Sequence, residues 1–98
     1  MFVALLKFSS QKDRAGDFMD GHKAWLKRGF EDGVFLLAGS LPPGAGGGIL
    51  VHNLDREALE ARLAEDPFVA EDVVRPEIIE IAPAMTDPRL DFLATRGG

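Results

Sequence analysis

Two histidines and no cysteine, in a chain of 98 residues, leave few side chains able to move a proton or form a covalent bond near neutral pH. His22 is the more telling of the two. Phe18, Met19, Trp25 and Leu26 surround it at steps of three and four, so on a helix its ring turns toward the apolar side. A buried imidazole needs partners for its nitrogens, and leaving one unpaired costs roughly 1–3 kcal/mol. Either a backbone carbonyl or a carboxylate can serve. Asp66, in Ala64-Glu65-Asp66-Pro67-Phe68, is the second unusual residue, because negative charge at the end of a helix opposes the dipole there. Two readings explain it: Asp66 caps a new helical turn that starts with Pro67, or it pairs with a positively charged group or an imidazole. In the second case a carboxylate on one ring nitrogen fixes the tautomer and frees the other to accept a proton, which is general acid–base chemistry.

The remaining polar residues point to less. His22 and His52 lack the i, i+4 pairing and the thiolate neighbours of a zinc site, so no metal is expected, and His52 reads as a surface residue at a strand end. Gly44-Ala45-Gly46-Gly47-Gly48 has no Lys-Ser/Thr ending and leads into a strand, unlike a phosphate cradle. Its value is close backbone approach, to a ligand or to a second subunit. Ser40 is a candidate polar group of a pocket. Lys23, Lys27, Arg28 and Glu31 lie off the apolar stripe and read as a solvated face.

These residues need a scaffold. Phe2–Phe8 is a short apolar run, read as a strand. Polar residues follow, with Asp13 or Asp17 available as a cap, and then Ala15, Phe18, Met19, His22, Trp25, Leu26 and Gly29 recur at helical spacing up to Glu31. Val34–Ala38 is a second strand closed by Gly39-Ser40. Pro42–Gly48 supplies a bend into Ile49–His52, the third strand of a hairpin. Asp55 caps a second helix bearing Ala58, Leu59, Arg62 and Leu63 on one face, and Pro67 stops it. Val73–Ile81 is a fourth strand, placed at an edge by Pro76, with Ile79 and Ile81 on one face and Glu77 off the end. A helical turn or an arm is expected over Thr86–Leu93.

Strand, helix, strand, strand, helix, strand is the α+β order of a ferredoxin-like βαββαβ domain, in which both helices cover one sheet face. The first strand carries Phe2, Ala4, Leu6 and Phe8 on one side but also Val3 and Leu5 on the other. A second copy of the chain is the simplest cover for that apolar back, so a homodimer packed sheet to sheet is expected.

Composition sets the outer limits. The length suits one domain, and 46% hydrophobic with 28% charged residues is ordinary for a globular chain. Sixteen acidic against eleven basic side chains give a net charge of -5 with the basic residues scattered, which argues against nucleic acid. No apolar run approaches the roughly 18 residues of a membrane span, and Met1–Lys7 lacks a signal-peptide pattern, so a cytoplasmic protein is expected. The absence of cysteine fits a reducing compartment.

Four pieces, Asp20-Gly21-His22-Lys23-Ala24-Trp25-Leu26, Gly33–Leu41, Gly46-Gly47-Gly48 and Glu65-Asp66-Pro67-Phe68, together resemble the YciI-like (YCII-related) family over about Met1 to Ala82. The resemblance makes 83–98 an extension of a core at 1–82. It implies a dimeric α+β barrel of ferredoxin-like subunits and a pocket built around His22 and Asp66. Kinship with muconolactone isomerase-like enzymes then suggests a cofactor-independent lyase or isomerase acting on a small cyclic or aromatic-like metabolite. His22 shuttles the proton, Asp66 orients it, and Trp25, Ser40, Gly46, Gly47, Gly48 and Phe68 shape the pocket. The competing reading is a non-catalytic dimeric module that binds a small ligand, the pair being only a buried polar link.

Overall fold

The computed structural model describes residues 1–94. Its strands are Phe2–Phe8 (β1), Phe35–Leu41 (β2), Gly46–Val51 (β3) and Val74–Glu80 (β4). Ala15–Glu31 (α1), Arg56–Ala64 (α2) and the single turn Pro67–Ala70 (α3) are α-helical, and 3₁₀ turns cover Lys12–Arg14 and Pro88–Leu93. Every pairing is antiparallel and the order is β2-β3-β1-β4. This is the ferredoxin-like arrangement expected from the order of the elements.

Alternation along β1 divides the sheet into two faces, with Phe2, Ala4 and Leu6 buried beneath the helices. Cross-strand rows continue that inner face: Phe35, Val51 and Phe2, then Ala38, Ile49, Ala4 and Ile78, then Ser40, Gly47 and Leu6. Onto these rows α1 lays Trp25, α2 lays Leu59 and Leu63, and α3 lays Phe68. The Trp25 indole N–H donates to the Arg62 carbonyl at 3.0 Å, tying α1 to α2. At Gly29 the Phe35 ring fills the place of a β-carbon, 2.0 Å from it, so the bare helix backbone packs directly on that ring.

Asp55 caps α2 as expected, its carboxylate accepting from the Ala58 N–H at 2.7 Å. At α1 the expectation fails: neither Asp13 nor Asp17 caps it, and the cap position is Arg14 with no side-chain bond. The 3₁₀ turn feeds the helix directly, the Arg14 N–H donating to the Gln11 carbonyl. The second strand also runs further than expected, to Leu41, with Leu36 as the extra residue of an irregularity between Phe35 and Leu37.

β3 starts at Gly46, ahead of the expected Ile49, which shortens the bend to Pro42–Ala45. Three glycines make a poor strand by propensity, but Gly46–Gly48 are paired on both sides, with Leu41–Gly39 of β2 and with Lys7–Leu5 of β1. Gly46 has φ +133°, and a β-carbon there would sit 2.0 Å from the Leu6 carbonyl oxygen. Only glycine suits that position. β4 is an edge strand, as Pro76 suggested. Glu77 is not off its end but opposite Leu5, with its carboxylate 3.0 Å from Lys7 Nζ.

The outer face carries a row across all four strands, Leu37, Leu50, Val3 and Ile79. Leu37 is 54% and Ile79 45% exposed in the isolated chain. Beyond the sheet, the Pro88–Leu93 turn is capped by Asp87 and sets the Phe92 ring edge-on to His52 at 5.5 Å. The end of the 83–98 extension, 95–98, lies outside the described residues.

Candidate functional site

The inner face is underfilled at one end. Ala38 and Ser40 of β2 and Gly47 of β3 are small where a bulky residue would have closed the space below α1. A cavity of about 320 Å³ results, with Met19, His22 and Leu26 of α1 above the sheet residues and Phe8, Phe68 and Val74 on its other walls. Its size suits a small molecule.

Local sequence brings the polar pair to this cavity. Asp66 leaves α2 in extended conformation and Pro67 opens α3, so the Asp66 carboxylate turns back to accept from the Phe68 N–H at 3.0 Å. At Gly21 on α1 a β-carbon would lie 3.0 Å from the Pro67 side chain. The glycine lets α1 and α3 approach, and the next residue on α1 is His22. Its Nδ1 lies 2.9 Å from Asp66 Oδ1. Both readings of Asp66 therefore hold together: one oxygen caps α3 and receives the imidazole.

Asp66 is 0% exposed and the His22 side chain 13% exposed. An ionised carboxylate only accepts, so against it Nδ1 is the donating nitrogen and Nε2 is the ring nitrogen left outside the contact. Among the described residues Nε2 has no hydrogen-bond partner, and neither has Asp66 Oδ2. The Phe68 ring lies parallel to the imidazole, 4.0 Å away and 3° off parallel, and restrains its tilt. What remains is an imidazole held in orientation at the wall of an apolar cavity, a side-chain type that general acid–base chemistry can use.

The structure brings together most of the residues singled out from the sequence. Phe68, Ser40 and the backbone of Gly46, Gly47 and Gly48 line the cavity with His22. Trp25 does not. It is 1% exposed, stands behind the imidazole with ring centroids 5.9 Å apart, and belongs to the core. Helical periodicity alone puts Trp25 and His22 on one stripe and cannot tell the cavity from the core behind it. Conversely, Lys23, read as part of a solvated face, lines the cavity. His52 is half-buried, away from the cavity. Among the described residues no three His, Asp or Glu side chains converge as a metal site.

No curated protein sequence matches the chain. Among solved structures, a 5-chloro-2-hydroxyhydroquinone dehydrochlorinase from Burkholderia phenoliruptrix, in complex with 2,5-dihydroxybenzoquinone, has a similar fold. It superposes with a TM-score of 0.66 over 83% of this chain and 93% of its own, at 11% identity. The family model for the YCII-related domain matches residues 1–82, which contain the whole sheet, α1 to α3 and both members of the His22–Asp66 pair. The chain belongs to the YCII-related, or YciI-like, family.

Proposed function

We propose that the protein is a cofactor-independent acid–base enzyme of the lyase or isomerase type, acting on a small, flat, oxygenated ring. The observation that carries this reading is the 2.9 Å contact of His22 with Asp66 at the wall of the cavity. Nε2 of His22 takes a proton from an acidic C–H or O–H of the ring. The buried Asp66 carboxylate stabilises the imidazolium and keeps it oriented. The proton then returns to a second position of the same ring, which is an isomerisation, or leaves with a departing anion, which is an elimination. Ser40 and the glycine backbone of β3 orient the ring. Nothing but a proton carrier enters these steps. The quinone bound by the dehydrochlorinase of similar fold supports the choice of ring.

The working unit in this reading is a homodimer joined through the outer sheet face, where the Leu37, Leu50, Val3 and Ile79 row would otherwise face water. Its setting is the cytoplasm, in keeping with a chain free of cysteine. Among the described residues no helix is long and apolar enough to cross a membrane.

Deuterium exchange tests the chemistry without the natural substrate. In heavy water the wild-type protein is expected to speed exchange at the ring carbons of 2,5-dihydroxybenzoquinone, and His22→Gln to lose that acceleration. If the quinone shifts the His22 ring resonances but exchange stays at the buffer rate, the protein is a binding module and the enzymatic reading falls.

A further inference from the structure

We propose that Lys23 is the anion-recognising residue of the cavity, so that its ligand carries a negative charge, as a carboxylate or an ionised ring hydroxyl. This deepens the proposed function and rests on the cavity being a ligand site. Lys23 follows His22 on α1, about 100° further round the helix, so the imidazole turns inward while the lysine stem stands at the rim. It is exposed yet lines the cavity. Lys7, Arg14, Arg56 and Arg62 each have a carboxylate within 4.0 Å. Among the described residues Lys23 has none.

Among the described residues no Asp or Glu lines the cavity; its other lining residues are apolar side chains, His22, Ser40 and glycine backbone. Among the described residues that line the cavity the ammonium is therefore the one permanent charge, the Asp66 carboxylate lying behind the imidazole, and low-dielectric walls strengthen its field. The chain as a whole carries -5 and repels anions. A positive charge among the lining residues of an apolar cavity reverses that locally and favours a ligand apolar in body and anionic at one edge.

The test pairs two probes of one shape. 2,5-Dihydroxybenzoquinone is ionised near neutral pH, and its dimethyl ether is neutral. Calorimetric titration of the wild-type protein is expected to give about tenfold or tighter binding of the anion, the order of a hydrogen bond to a charged group. Lys23→Met abolishes the preference by weakening the anion alone, Lys23→Arg keeps it, and Lys27→Met, one turn along the same helix, leaves it unchanged. Anion affinity falls with added sodium chloride in wild type but not in Lys23→Met. Equal binding of both probes by wild type, or full anion affinity in Lys23→Met, overturns the role of Lys23 while leaving the cavity a ring-binding site. Failure to bind either probe overturns both readings.

Discussion

Nδ1 of His22 lies 2.9 Å from Oδ1 of Asp66, a carboxylate 44 residues further along the chain. The contact selects the tautomer protonated at Nδ1. In Asp66→Asn the amide oxygen still caps Phe68, but the charge that holds the tautomer and the imidazolium is gone. The expected result is a folded protein whose His22 nitrogen-15 shifts change from one tautomer to a mixture, with proton-transfer activity down by about a hundredfold or more. An unchanged tautomer in the variant contradicts the orienting role of Asp66.

Removing the ring has a different cost. His22→Ala leaves a buried carboxylate with Phe68 N–H as its one remaining donor among the described residues and deletes the parallel stack on Phe68. Destabilisation of roughly 2–4 kcal/mol is expected in urea unfolding. His22→Ala, Asp66→Asn double variants should recover part of it, since the charge stranded by the first change is removed by the second.

Two glycines of α1 should respond with opposite sign. Gly16 has no atom within 4 Å of an added β-carbon, so Gly16→Ala is expected to stabilise by roughly 0.5–1 kcal/mol through helix propensity. Gly29→Ala would drive its methyl into the Phe35 ring, 2.0 Å away. A loss of roughly 1–3 kcal/mol is expected from overpacking. Thermal unfolding of the two variants side by side checks the pair.

Acid weakens the link between β1 and β4 at Asp72. The Ser10 and Ser9 hydroxyls donate to its carboxylate, and with Arg75 nearby they hold its pKa below the ordinary value. A carboxyl depressed in the folded state contributes stability above its unfolded pKa of about 3.9. That contribution disappears as pH falls through the lower folded value. Stability of wild type relative to Asp72→Asn should therefore be higher at pH 6 than at pH 2, as read from denaturation curves at each pH. Equal differences at the two values would contradict the assignment.

The outer face predicts the association state. Leu37 and Ile79 are half-exposed in the isolated chain and sit at opposite ends of one cross-strand row. Leu37→Glu, Ile79→Glu is expected to turn a dimer into a monomer with unchanged circular dichroism, as measured by sedimentation. A wild-type chain that sediments as a monomer at high concentration rules the sheet-to-sheet dimer out.

Apolar periodicity made the element order and the inward turn of His22 legible in the sequence, and the Asp-Pro pair disclosed a cap. The site asked for more. Gly46–Gly48 read as a bend because nothing local favours a strand there; the pairing that makes them one comes from Leu5–Lys7 and Gly39–Leu41, distant in sequence. Trp25 and Lys23 exchanged roles for a related reason. A helix period tells which way a residue faces, but not whether what it faces is packed or hollow. The hollow here arises from Ala38, Ser40 and Gly47 on the facing strands.

One wall of the cavity is the bare backbone of Gly46–Gly48, already hydrogen-bonded to strands on both sides. It has no rotamers to freeze when a guest arrives. For this wall the entropy that other pocket walls give up in ordering side chains is surrendered in advance, at folding.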